Sequence, residues 1–213
     1  MYLIKKISAP TKLQEAKTEF QDKLPDGNSD VWGDLDSGTK REIKEALLEN
    51  QKFVCCYCTC KIQYNSMKVE HWESQAKCPE KRLEWTNLFA ACDGGEKSKV
   101  GPHCDSSKGS SRITLSPIRQ EHINKLTYTG SGDISSGDSG LAKDLGTLNL
   151  NASIPKNGRK AAWNGFKKHL KMKNENLKKQ SYRQKLIRKA KDRIDQSPAT
   201  PYYDIVLFFL ERK

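Results

Sequence analysis

Four cysteines fall within six positions, Cys55, Cys56, Cys58 and Cys60, in the stretch VCCYCTC. Thiols at this density serve metal ligation or redox exchange. Cys55 and Cys58 form a C-x-x-C pair, a spacing at which a tight knuckle points two sulfurs at one tetrahedral ion. A tetrahedral site needs a second pair, and Cys92 and Cys104 supply it, bracketing a glycine-bearing loop. Eleven residues separate them, more than in a standard second knuckle. His103 could stand in for Cys104, while Cys56, Cys60 and Cys78 are spare. The competing readings are a set of buried free thiols, or redox chemistry at Cys55 and Cys58, which lacks the βαβ context of thioredoxin-like proteins. If four cysteines hold the ion, no coordination position remains for substrate. Such an ion is structural, and any catalysis must come from elsewhere.

Glu70 and His71 stand side by side in KVEHW. A neutral imidazole can take a proton from water, and a carboxylate can hold a hard divalent cation. Neighbours on a regular strand face opposite sides, so the two serve one site only if the strand ends or bulges here. Alone, such a pair is ordinary surface. Further on come Asn87 in T-N-L and then Cys104-Asp105-Ser106-Ser107-Lys108. Asp105 offers a second carboxylate. Lys108, one helical turn later, faces the same side and could meet a phosphate.

Several elements must position these groups. Thr39 and Glu42 make a capping-box pattern ahead of Ile43, Ala46 and Leu47, which predicts a helix from 39 to 51 that delivers the chain to the cysteines. Before it, LPDGNSDVWGDLDSG reads as loop. Residues 53–72 fit two short strands with a turn near Tyr64-Asn65-Ser66. Residues 82–92 fit a short helix or an irregular segment. Asp105 and the serines after it suit the first turn of a helix. NKLTYTGSGDISSGDSG predicts a hairpin followed by a flexible loop. Residues 156–194 predict a long basic helical region with Trp163, Phe166, Leu170 and Leu177 near one face. That region is a phosphate-tracking surface, an amphipathic bracket on the core, or both. The final run, YYDIVLFFL, is a helix or strand returning to the core. There is no internal repeat and no heptad pattern.

Composition narrows the partners. Of the 213 residues 30% are charged and only 35% hydrophobic, so the core is modest and a structural metal helps it. Lys and Arg exceed Asp and Glu by 38 to 26, a net charge of +12. That balance suits a polyanion, nucleic acid first and acidic membrane second, although solubility alone could explain it. MYLIKKISAP lacks the apolar core of a signal peptide, and the longest apolar run is too short to span a bilayer. The expectation is a soluble cytoplasmic chain. In that reducing setting seven clustered cysteines suit metal better than disulfides. No G-x-x-x-x-G-K-[ST] occurs, so any ATP-driven step needs another chain.

The order C-x-x-C, V-E-H-W, N-L, C-D-x-x-K resembles the HNH endonucleases of the ββα-metal, or His-Me finger, class. In that class a β-hairpin and one helix clasp a single catalytic divalent ion, and many members add a four-cysteine zinc. The resemblance narrows with C-C-Y-C at 55–58, E-H-W at 70–72, W-x-N-L at 85–88, A-C-D-G at 91–94, H-C-D-x-S-K-G at 103–109, S-P at 116–117 and L-N-L-N at 148–151. This set is similar to the PtuB-type HNH nucleases of Septu anti-phage systems and of related retron systems.

The resemblance implies an α+β fold: a ββα-metal core over 39–125 carrying the zinc knuckle, an N-terminal arm or loop over 1–38, and a hairpin plus basic helical region over 126–213 packed on the core. It implies that Cys55, Cys58, Cys92 and Cys104 hold a structural Zn²⁺. His71 is then the general base, Glu70 the acidic metal ligand before it, and Asn87 the residue that braces the loop and orients the histidine. Lys108 matches the lysine often found one turn along the helix. Asp105 departs from the pattern, standing where a His or Asn ligand usually sits. Two carboxylates suit Mg²⁺ or Mn²⁺ over softer ions. His103 stays open as ligand, phosphate contact or loop. The implied substrate is nucleic acid, DNA ahead of RNA, with no membrane. The implied partners are a PtuA-like ATPase and, by the retron likeness, a reverse transcriptase with its noncoding RNA. The rival from another class is a non-catalytic zinc module that binds nucleic acid or protein.

Overall fold

β1 (Met67–His71) and β2 (Leu88–Cys92) pair antiparallel, with Met67 opposite Cys92 and His71 opposite Leu88. The computed structural model that shows this describes residues 1–24, 29–96, 99, 101–172 and 179–212. β2 reads LFAAC and every one of its residues is buried, so it carries no alternation to mark it as a strand. The helix or irregular segment expected over 82–92 is therefore corrected. Two 3₁₀ turns, Pro79–Lys81 and Trp85–Asn87, lead into β2. The two strands expected within 53–72 reduce to one bridge, Val54 to Lys61, plus β1. The true partner of β1 lies beyond the 72–87 connection, a pairing that no local pattern encodes. The expected turn near Tyr64 is present as a 3₁₀ turn, Tyr64–Ser66.

Buried Gln51 fastens this pair to the cysteine knuckle. Its amide donates to the carbonyls of Val54 at 3.0 Å and Ala90 at 2.8 Å, and its oxygen accepts from Ala90 N at 2.7 Å. Cys56 N donates to the same Ala90 carbonyl at 3.0 Å. The edge of β2 thus has its backbone groups satisfied by the segment that carries Cys55 and Cys58.

Among the described residues, three helices precede the knuckle. α1 (Thr11–Glu19) was not anticipated, because only Leu13 and Ala16 of TKLQEAKTE are buried. It packs on α3, so the expected arm or loop over 1–38 is partly helical. α2 (Val31–Asp34) is a single turn capped by Asp30, within a stretch read as loop, of which residues 25–28 lie outside those described. α3 (Ser37–Asn50) buries Ile43, Leu47 and Leu48. Its cap is Asp36 and not the Thr39–Glu42 box: the Asp36 carboxylate accepts from Gly38 N at 2.7 Å and Thr39 N at 3.0 Å. Glu42 instead accepts from Lys12 N at 3.3 Å.

α4 (Asp105–Lys108) is one helical turn, starting where the serines and Asp105 predict it. After α5 (Gln120–Asn124), the expected hairpin forms from β3 (Leu126–Tyr128) and β4 (Ile134–Ser136). Its turn needs Gly132, whose φ is +91° and whose added Cβ would sit 2.2 Å from the Lys156 carbonyl. The flexible loop expected next is a helix, α6 (Ser139–Thr147), capped by Asp138. Asp144 on α6 accepts from Thr114 N and Leu115 N at 2.6 and 2.7 Å and so anchors the chain leaving α4.

The described residues of the basic region form two helices, α7 (Ser153–Met172) and α8 (Gln180–Asp195). Trp163 stacks on Phe209 of α9 (Tyr203–Glu211) at 4.4 Å, and Phe166 meets Tyr203 edge-on, so α7 acts as the amphipathic bracket. Leu177 lies outside the described residues. Arg159 of α7 is not a surface cation. It is 1% exposed and donates to the carbonyls of Gly132 at 2.7 Å and Leu150 at 2.6 Å, tying α7 to the hairpin. The final apolar run resolves as helix α9, with Ile205, Val206 and Leu210 buried. The class is α+β, as expected. No helix among the described residues is long and apolar enough to cross a membrane.

Candidate functional site

The sulfurs of Cys55, Cys58, Cys92 and Cys104 all lie within 4.8 Å of one another, and all four residues are buried. Cys55 to Cys104 and Cys58 to Cys92 are each 3.9 Å. A tetrahedral zinc with bonds of about 2.3 Å sets its sulfurs about 3.8 Å apart, so the cluster has the dimensions of a Zn–S₄ centre. The chain reaches this geometry through left-handed backbone at Thr59 and Cys104, with φ of 63° and 55°. Four thiolates repel without a cation. Burial and the Cys55 thiol hold Cys104 well above the ordinary thiol range, while the hydrogen bond with Cys104 drops Cys92 to about 3. A divalent ion removes that conflict, since it binds all four as thiolates.

The spare residues are now placed. His103 Nδ1 lies 3.2 Å from the Cys104 sulfur and 3.9 Å from that of Cys92, so it stands beside the ligand set. Cys56 is buried against β2, and Cys60 is half-buried next to the knuckle. Cys78 donates to Glu73 at 3.0 Å, outside the cluster.

A second constellation forms where β1 ends over α4. Glu70 is 2% exposed, and its Oε1 accepts from the Tyr57 hydroxyl at 2.6 Å. Lys108, equally buried, reaches the same oxygen at 2.7 Å and donates to the His71 carbonyl at 3.0 Å. Asp105 is close enough to share a hydrogen bond with Glu70. Burial first, and then Asp105, push the Glu70 pKa up to about 8 against the pull of Lys108. Two carboxylates in contact need a proton or a cation between them.

His71 is 7% exposed, and its Nε2 lies 3.1 Å from the Arg82 carbonyl. A carbonyl only accepts, so Nε2 carries the proton and Nδ1 keeps its lone pair. The Trp32 ring packs edge-on at 5.1 Å. Burial lowers the His71 pKa to about 4, so the ring is neutral at pH 7.

Among the described residues Asn87 makes no hydrogen bond to the imidazole. Its oxygen accepts from Glu73 N at 2.7 Å, and its amide donates to the carbonyls of Glu73 and Lys81, each at 3.0 Å. It therefore clamps the 72–87 connection, whose Arg82 carbonyl holds His71. Lys108 points inward to Glu70 and is not presented to solvent as a phosphate contact.

Glu70, Asp105 and Lys108 thus come together, Lys108 also holding the His71 main chain, with Asn87 one step removed. Sequence reasoning missed Tyr57, Arg82, Trp32 and Gln51. Tyr57 had a signal, since the residue between Cys56 and Cys58 must follow the knuckle inward. A role played by the Arg82 carbonyl leaves no trace in side-chain type.

A thiolate knuckle beside a strand-end Glu-His pair and a helix-start carboxylate is what the likeness to HNH endonucleases anticipates. Comparison with known proteins bears out the narrower likeness to PtuB-type HNH nucleases. The chain is 34% identical over 138 residues to the Septu protein PtuB of Bacillus thuringiensis, covering 63% of this chain and 46% of that protein. It is 27% identical over 103 residues to the retron Ec83 putative HNH endonuclease of Escherichia coli, covering 42% and 40%. The chain therefore spans less than half the length of these relatives. No family model matches it.

Proposed function

We propose that the chain is a divalent-metal-dependent HNH endonuclease that hydrolyses phosphodiester bonds, with DNA as substrate, as the effector of an anti-phage defence complex. The observation that carries this reading is a neutral imidazole, held through Nε2 by the Arg82 carbonyl, next in β1 to a buried carboxylate that Asp105 crowds. A non-catalytic zinc module gives no reason for that arrangement.

His71 Nδ1 takes a proton from water, and the water oxygen attacks phosphorus in line. The P–O bond to the 3′-oxygen breaks and that oxygen takes a proton from solvent, to which His71 later returns its own, leaving a 5′-phosphate and a 3′-hydroxyl, as the resemblance implies. The Arg82 carbonyl holds the ring through Nε2–H while His71 gains positive charge. Asn87 fixes the connection that carries this carbonyl. Glu70 and Asp105 fit a hard cation by charge and donor type and would hold Mg²⁺ or Mn²⁺. An ion held there would supply electrostatic stabilisation of the charge that builds on the phosphate. Tyr57 and Lys108 keep Glu70 in place.

The likeness to a Septu protein supports regulation by a separate ATPase subunit. The test is incubation of zinc-loaded protein, with and without such a subunit, with plasmid and with RNA, in Mg²⁺ or without it. Mg²⁺-dependent plasmid nicking supports the reading. Cleavage of RNA alone moves the substrate to RNA, and no cleavage of either contradicts the nuclease reading.

A further inference from the structure

An open groove of about 540 Å³ runs beside the Glu70–His71 site, lined by Trp32, Lys40, Lys44, Tyr64, Lys68 and Asp105. One end touches the proposed chemistry, since it includes Asp105, and Trp32 packs on the His71 ring. The other end is Tyr64, on the 3₁₀ turn before β1. Its ring is 38% exposed, one of the few large apolar side chains left in solvent. A lone exposed tyrosine is ordinary, but this one is set among cations. The Lys44 ammonium lies 5.3 Å from the Tyr64 ring centre and makes no ion pair among the described residues. Lys40 sits one turn before it on α3, and Lys68 closes the β1 side of the groove.

We propose that this groove binds an unpaired DNA strand flanking the scissile phosphate, with a base stacked on Tyr64 and a phosphate on Lys44. The inference rests on the nuclease reading for its polarity toward Asp105 but not for its binding chemistry. Rings interleaved with lysines are how sequence-independent single-strand surfaces work. The base face stacks and the ammonium follows the backbone. A paired base has its faces covered by its neighbours and leaves Tyr64 nothing to stack on. The lining also favours deoxyribose. Asp105 and the Tyr64 hydroxyl apart, it offers no side-chain acceptor among the described residues for a ribose 2′-hydroxyl.

The test measures binding and cleavage separately. Zinc-loaded protein without Mg²⁺ is titrated against a labelled single DNA strand of about 12 nucleotides, its duplex, and the matching RNA. Wild type binds the single DNA strand tightest. Tyr64→Ala weakens that binding about 5- to 100-fold, and Tyr64→Phe, which keeps the stacking face, does not. Lys44→Ala lowers the slope of log affinity against log salt by about 0.7, the loss of one phosphate contact. Unchanged zinc content shows that the variants are folded. Tyr64→Ala binding as well as wild type, or Tyr64→Phe falling with it, overturns the groove. RNA binding as tightly as DNA overturns the assignment to DNA. If wild type binds the strand in this pattern but never cuts with Mg²⁺, the groove stands and the nuclease reading falls. If wild type cuts and Tyr64→Ala binds normally, the reverse holds.

Discussion

Replacing Lys108 by methionine removes the cation bonded to Glu70 and keeps most of the side-chain volume. Both groups are almost fully buried, with Nζ 2.7 Å from the carboxylate. Breaking such a pair from one side costs about 3–5 kcal/mol when the remaining charge stays charged. Glu70 has an alternative, because burial and Asp105 already raise its pKa to about 8. Its folded pKa lies above its ordinary value near 4.5. The folded state therefore binds more protons than the unfolded state between those values, and stability falls as pH rises through that window. At about 1.36 kcal/mol per pH unit this fall amounts to at most about 5 kcal/mol. Without Lys108 only the Tyr57 hydroxyl still donates to the carboxylate, so the pKa of Glu70 climbs further and the cost of the substitution depends on pH. Below about pH 6 Glu70 is neutral, and the substitution costs about 1 kcal/mol, for the lost bond to the His71 carbonyl. At about pH 9 it costs about 3–5 kcal/mol. Urea unfolding of zinc-loaded, Mg²⁺-free protein at both pH values measures the difference. An equal loss at the two pH values, or less than about 1 kcal/mol at the higher, refutes the buried-pair reasoning.

Other outcomes follow from the same contacts. His71→Ala keeps its zinc and its fold and cuts about 10²–10⁴-fold more slowly in a plasmid assay; equal rates would remove His71 from the chemistry. Cys92→Ser lowers zinc content, read by elemental analysis, and loses the cooperative thermal transition, since structural zinc contributes on the order of 10 kcal/mol. Gln51→Ala strands Ala90 N and the Val54 carbonyl and lowers stability by about 2–4 kcal/mol in urea unfolding. Asp36→Ala uncaps α3 at a cost of about 1 kcal/mol in the same assay, whereas Glu42→Ala leaves the cap intact.

The residues with distinctive chemistry were legible in the sequence because their types are rare and their spacing is local. The C-x-x-C knuckle, the second cysteine pair, Glu70-His71 and the helix start at Asp105 need only short-range pattern. The pairing of β1 with β2 was not legible. Leu88–Cys92 is uniformly buried, so nothing in it alternates, and its partner lies beyond a long connection. α1 was hidden by its short apolar stripe, and α6 by glycines and serines that read as loop. The inward turn of Arg159 was not legible, because a basic helix gives no sign of which cation points to the core. What holds His71 was the least accessible part, since a main-chain carbonyl does it. Asn87 was read as bracing the loop and orienting the histidine, and its hydrogen bonds do clamp the connection that presents that carbonyl.

The most direct test of the account is a count of metal sites. Zinc-loaded protein is titrated with Mn²⁺ and followed by electron paramagnetic resonance, alongside Glu70→Ala and Asp105→Ala. The account predicts one zinc and one further Mn²⁺ per chain in the wild type, with the Mn²⁺ lost and the zinc retained in both variants. Mn²⁺ binding that survives both substitutions would place the second ion elsewhere, and contradict the site on which the proposed chemistry depends.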